Sequence, residues 1–96
     1  MAFQGNRTGA AKAWFCLNPD EAVESMSAQN KGPRSLEIVL HTSGTEAPTS
    51  RAGSLTYLPG EALGADEALA DRFPGGAVPG YVWGISSEPV TVSVGY

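Results

Sequence analysis

One thiol and one imidazole occur in this chain of 96 residues, Cys16 and His41. Together they could form a thiolate–imidazole pair, in which the ring activates the sulfur as a nucleophile. The sequence places both near strand ends. Alternation puts Cys16 with Trp14, and His41 with Glu37 and Val39, on what reads as an outer sheet face. No acid close to His41 is positioned to orient it. Glu37 stands too far along the strand, and Asp20 or Glu46 would need loops to bring them in. The structural alternatives are therefore preferred: an apolar, buried Cys16 and a strand-end His41 making ordinary hydrogen bonds. No catalytic residue is assigned; Cys16 and His41 are the only candidates.

Other chemistry is thinner. A zinc tetrad needs more than one His and one Cys, and the acids lack calcium-loop spacing, so no metal and no cofactor are expected. The acidic pairs Asp20–Glu21 and Asp66–Glu67 sit at expected helix starts, where dipole and capping explain them. The glycine-rich pieces RTGAA, TSGT and PGGAVPG lack the lysine and the strand–helix setting of a phosphate-binding loop, and read as turns. Aromatics are more informative. Trp14, Tyr57, Tyr81, Trp83 and Tyr96 exceed what a small core readily hides, the alternative being that Trp14, Tyr81 and Trp83 complete the core. With Phe3 of the N-terminal arm, Trp14, Tyr81, Trp83 and Tyr96 are the candidate interface residues.

The elements that must position these residues follow from local signals. Met1–Gly9 reads as a polar arm anchored by Phe3. Ala11–Leu17 reads as a strand with Ala13, Phe15 and Leu17 on one face. Asn18-Pro19-Asp20-Glu21 has the form of a capped helix start, with Asn18 as N-cap, Pro19 at N1 and Glu21 at N3. It predicts a helix over Pro19–Asn30 that buries Ala22, Val23, Met26 and, more weakly, Asn30, and stops at Gly32-Pro33. Leu36, Ile38 and Leu40 mark the core face of a second strand. Ser43–Ser54 has no hydrophobic rhythm and is long enough for a binding or assembly loop, a solvent loop being the alternative. A short strand, Leu55–Leu58, precedes a second helix carrying Ala65, Ala68, Leu69 and Phe73. Alternation over Tyr81–Ser86 and Val90–Tyr96 predicts a closing hairpin. The expected fold is α+β: one domain over residues 1–96, with an arm at 1–9. It has a small sheet of about five strands with two short helices on one face, in the order β-α-β-loop-β-α-β-β.

Composition narrows the function classes. A single cysteine forbids an intrachain disulfide. The stretch MAFQGNRTGAAK has no apolar core of signal-peptide length and no 18-residue apolar run occurs, so a cytoplasmic protein, or one incorporated into a particle assembled there, is expected, with no membrane partner. The net charge of −4 is unevenly spread. Met1–Arg34 carries four cations against three acids, a net of +1, and Ser35–Tyr96 carries two against seven, a net of −5. That split suits contacts between copies and offers no basic stripe for nucleic acid. The reading that follows is a non-enzymatic structural or assembly protein forming homo-oligomers, a virus-particle component being one case, with itself or another protein as partner. The alternatives are a small regulatory or ligand-binding module and a cofactor-independent enzyme with an apolar pocket.

Overall fold

A computed structural model describes residues 4–76 and 78–96 of the chain. Eight strands and a short helix follow one another: β1 (Gln4–Gly9), β2 (Phe15–Cys16), β3 (Ser27–Asn30), β4 (Leu36–His41), β5 (Leu55–Tyr57), β6 (Ala62–Leu63), α1 (Leu69–Arg72), β7 (Tyr81–Ser86) and β8 (Val90–Gly95). They form two four-stranded sheets, ordered β1-β8-β3-β6 and β2-β7-β4-β5, and every ladder between named strands is antiparallel. The α+β class stands, but the expected sheet of about five strands with two helices on one face is corrected to two sheets with a single helix.

The core lies between the sheets. Val90, Val92 and Val94 of β8, with Ala28 and Leu63, meet Leu36, Ile38, Tyr57 and Val82 of the other sheet, and Leu17, Met26, Leu69 and Phe73 complete the cluster. The alternation expected for β4 and β8 is observed: Leu36 and Ile38 are buried in the core, and Val90, Val92 and Val94 are buried while Thr91, Ser93 and Gly95 turn outward; β7 is buried on both faces. The closing hairpin is not formed. β7 and β8 belong to different sheets, so Ser87–Pro89 crosses from one layer to the other.

The first helix is replaced by turn and strand, and Asn18 shows why. A helix cap uses the side-chain oxygen to accept an N–H of the first turn. Here that oxygen accepts from the Val82 amide at 2.7 Å. The side-chain nitrogen donates instead to the carbonyls of Glu21 (2.9 Å) and Gly80 (3.1 Å). Asn18 is fully buried and stitches the chain to the start of β7. With its cap engaged elsewhere, the segment runs on through a bridge between Val23 and Gly80 into β3. There Met26, Ala28 and Asn30 are buried in alternation with Ser27 and Gln29, a period of two that outweighs the helical spacing.

Asn30 is a second fully buried asparagine. Its nitrogen donates to the carbonyls of Arg34 (2.8 Å) and Tyr57 (2.9 Å), and its oxygen accepts from the Gly32 amide (2.9 Å). It thus ties the exit of β3 to the end of β5 in the opposite sheet. The second helix is cut to the four residues of α1. Glu67 does reach back to the Gly64 amide (3.1 Å), as a capping glutamate would, but it closes an isolated turn. Four residues are too few for helical cooperativity. Leu69 and Phe73 hold the segment by burial, and the Leu69 amide donates to the Glu24 carbonyl at 2.9 Å. The expected polar arm is β1, an edge strand of six residues; Phe3 lies outside the described residues.

Candidate functional site

Ladder register places Cys16, Trp83 and Val39 in one row across β2, β7 and β4, on the face turned away from the core. The adjacent pairs Glu37–Ile85 and His41–Tyr81 belong to the same face. Cys16 and His41 therefore do share a face, as expected, but β7 runs between them. Two strand spacings and two residues of rise separate them, roughly 10 Å across and roughly 7 Å along. The Trp83 ring occupies that interval, meeting His41 edge-on with centroids 6.5 Å apart and an interplanar angle of 84°. The Cys16 thiol reaches Asn18 Oδ1 at 4.0 Å. Burial pushes the Cys16 thiol above its ordinary pKa, and the Asn18 backbone amide offsets this in part. The sulfur is thereby kept in its less nucleophilic form.

The centre of this outer face is apolar and covered, with Glu37 and His41 toward its two ends. Val39, Trp83 and Ile85 are buried, at 5%, 6% and 5% exposure. The cover is the Ser43–Ser54 segment. The Trp83 indole N–H donates to the Ser43 carbonyl at 2.7 Å. Gly44 lies against the Tyr81 ring, where an added Cβ would sit 2.7 Å from a ring carbon. Pro48 is buried. Glu37 clamps the far end, accepting from Arg51 (2.9 Å) and the Ser54 hydroxyl (3.1 Å). Ser43 and Ser50 hydroxyls accept backbone amides within the segment, at 3.0–3.1 Å, and so hold its turns. The loop is fastened at both ends by side chains whose faces were readable, Trp83 and Glu37, but the fastening itself carries no local signature.

β5 pairs with β4 only from Leu36 to Ile38. Beyond Ile38 the β4 edge opens into a cleft of about 270 Å³ lined by Val39, Leu40, Ala52, Gly53, Phe73, Pro74, Gly75 and Gly76. A second, of about 190 Å³, shares Val39, Leu40 and Ala52 and reaches His41 and Pro48. The larger cleft has no charged side chain in its lining. It suits an apolar group.

The remaining interface candidates fall into two settings. Tyr81 and Trp83 belong to the covered face. Trp14 and Tyr96 are half-buried. The Tyr96 hydroxyl donates to Asp20 (2.9 Å) and accepts from Arg7 (3.0 Å), while Arg7 also pairs with Asp20 at 3.1 Å. This cluster joins β1, the Asn18–Glu21 turn and the end of β8. Burial, and then the hydrogen bond to Asp20, raise the Tyr96 phenol above its ordinary pKa.

A feature that the strand alternation contained, but that was not singled out as a site, is the outer face of β1-β8-β3-β6. Register aligns Gln4, Asn6 and Thr8 with Gly95, Ser93 and Thr91, and these with Ser27 and Gln29; Ala62 follows beside Gln29. The paired strand residues of this face carry no charge; Lys31, exposed and with its amide donating to the Thr91 carbonyl at 2.9 Å, borders it at the end of β3. No protein-family model, curated protein or solved structure matches the chain.

Proposed function

We propose that the protein is a non-enzymatic structural module that assembles with copies of itself through the open face and free edge of β1-β8-β3-β6. One observation carries this reading. A face made of hydroxyl, amide and small residues ends at an edge strand, β1, whose sequence QGNRTG contains neither lysine nor proline. Edge strands are ordinarily guarded by such residues, by bulges or by a covering segment. Arg7, the one charged residue of β1, is engaged with Asp20 and Tyr96. Apart from Lys31 at its border the face is neutral and polar, so its centre can be desolvated without burying a charge, and its amides and hydroxyls offer both donors and acceptors to an identical surface. Two copies related by a two-fold axis would present the same groups to each other.

The test is the mass in solution by light scattering over a wide concentration range, for the wild type and for Asn6→Lys/Ser93→Lys. The expected result is a concentration-dependent oligomer for the wild type. The double variant, with unchanged circular dichroism, should lose the flat-sheet contact. A wild type that stays monomeric at the highest attainable concentration overturns the reading.

A further inference from the structure

The most exposed large apolar side chain among the described residues is Leu58, at 54% exposure. It stands at the tip of the turn between β5 and β6, and that turn is stiff. Glu61 N–H donates to the Leu58 carbonyl (2.9 Å), and the Leu58 amide donates to the Glu61 carboxylate (2.7 Å). Gly60, at φ 88°, donates its amide to the Asn30 carbonyl (2.8 Å) and accepts from the Gln29 side chain (3.1 Å). A side chain held out on a rigid turn loses little freedom when it is buried by a partner.

A hole of matching character lies at the other end of the same sheet edge. Leu36, at the start of β4, pairs with Tyr57, so Leu58 leaves the sheet there. The cleft opens at Val39 and Leu40, toward the end of β4. The knob and the hole are thus separated by roughly 10–14 Å of strand, and no copy can fill its own cleft with its own Leu58. An apolar cavity of about 150 Å³ is enough to take up benzene. The cleft, at about 270 Å³, has room for the leucine side chain and part of the Pro59 ring. Charge does not oppose this pairing: Glu61 flanks the knob, and Arg51, its side chain 56% exposed and paired with Glu37, flanks Ala52 at the cleft.

We propose that the Leu58–Pro59 turn of one copy seats in the Val39–Phe73 cleft of the next. This contact joins different surfaces of identical chains, so it propagates head to tail into a ring or a filament. It is separate from the flat-sheet contact and does not depend on it.

The experiment is a complementation assay by native mass spectrometry and light scattering, in the Asn6→Lys/Ser93→Lys background to silence the flat sheet. That background should still associate. Adding Leu58→Asp, which removes the knob, or Ala52→Trp, which fills the hole, should weaken association about tenfold or more. Circular dichroism establishes that each variant is folded. Mixed in equal amounts, the two variants should form a discrete heterodimer, because one intact knob and one intact hole remain. A background protein that is already monomeric, a Leu58→Asp variant that associates like its parent, or a mixture with no heterodimer overturns the proposal. The failures are distinguishable: a wild type that associates while the background does not leaves the flat-sheet contact standing, whereas a background that associates like the wild type, and loses this with Leu58→Asp, removes the flat sheet and keeps the knob.

Discussion

The outer faces of the two sheets obey the same alternation and end differently. On β2-β7-β4-β5 the outward positions are Trp83, Val39 and Ile85, and the Ser43–Ser54 segment folds over them. On β1-β8-β3-β6 they are Thr91, Ser93 and their neighbours in register, and among the described residues no such segment is fastened across them. An apolar outer face gains from being covered, at roughly 25 cal/mol for each Å² removed from water, and this is enough to order a segment with no hydrophobic rhythm of its own. A polar outer face offers no such gain. What a loop does in this molecule is therefore decided by the sheet beneath it.

The largest effect that would break this comparison is at Trp83. Trp83→Ala should cost about 3–5 kcal/mol, read from chemical denaturation, because it removes both the buried ring and the anchor for Ser43. Ser93→Ala, on the open face, should stay within about 0.5 kcal/mol. Similar losses at the two sites would mean that the faces do not differ as described. Next is Asn30→Ala, at the seam between the sheets. It leaves the Arg34 and Tyr57 carbonyls and the Gly32 amide without their partner, and a loss of about 2–3 kcal/mol in the same measurement is expected.

Glu37→Ala is expected to be milder globally, about 1 kcal/mol or less, because the Arg51 end of the pair is more than half exposed. Its local signature is sharper. Hydrogen exchange should accelerate in Ser43–Ser54 and stay unchanged in β1 and β8. Equal acceleration in both sheets would show that the cover is not a separate unit.

The smallest effect is alkaline. The folded protein holds the Cys16 and Tyr96 protons more tightly than the unfolded chain does, since both groups are raised by burial. Stability from this source is present below their ordinary pKa values and is lost as pH climbs through the raised ones. Denaturation midpoints should fall with rising alkaline pH. Cys16→Ala should flatten the first part of that fall and Tyr96→Phe the later part.

Much of the sheet detail was legible. The core face of Leu36–His41 and the alternation of Val90–Gly95 need only a period of two and are the ones observed, whereas Tyr81–Ser86, read only as two alternating faces, is buried on both. Leu69 and Phe73 were recognisable as core residues although the helix around them is only one turn. The Asn18–Glu21 signal misled because capping chemistry is also turn chemistry. The amide that could cap a helix pairs better with Gly80 and Val82, which are about sixty residues away and invisible to a local reading. The cleft was equally hidden, since it forms where β5 stops short and the Phe73–Gly76 turn approaches Leu40.

The sequence by itself determined which side chains share a face along each of the later strands, and where the chain must turn. Backbone geometry alone imposes that much, because alternate strand residues point opposite ways. That the thiol and the imidazole share a face rests on β7 pairing with both β2 and β4. Only the tertiary structure decided that the strands divide between two sheets, that Asn18 and Asn30 serve the seams, that Trp83 stands between Cys16 and His41, and that one outer face is covered while the other is open. These depend on partners distant in the chain, and buried polar groups and apolar area are satisfied by whatever the fold brings to them.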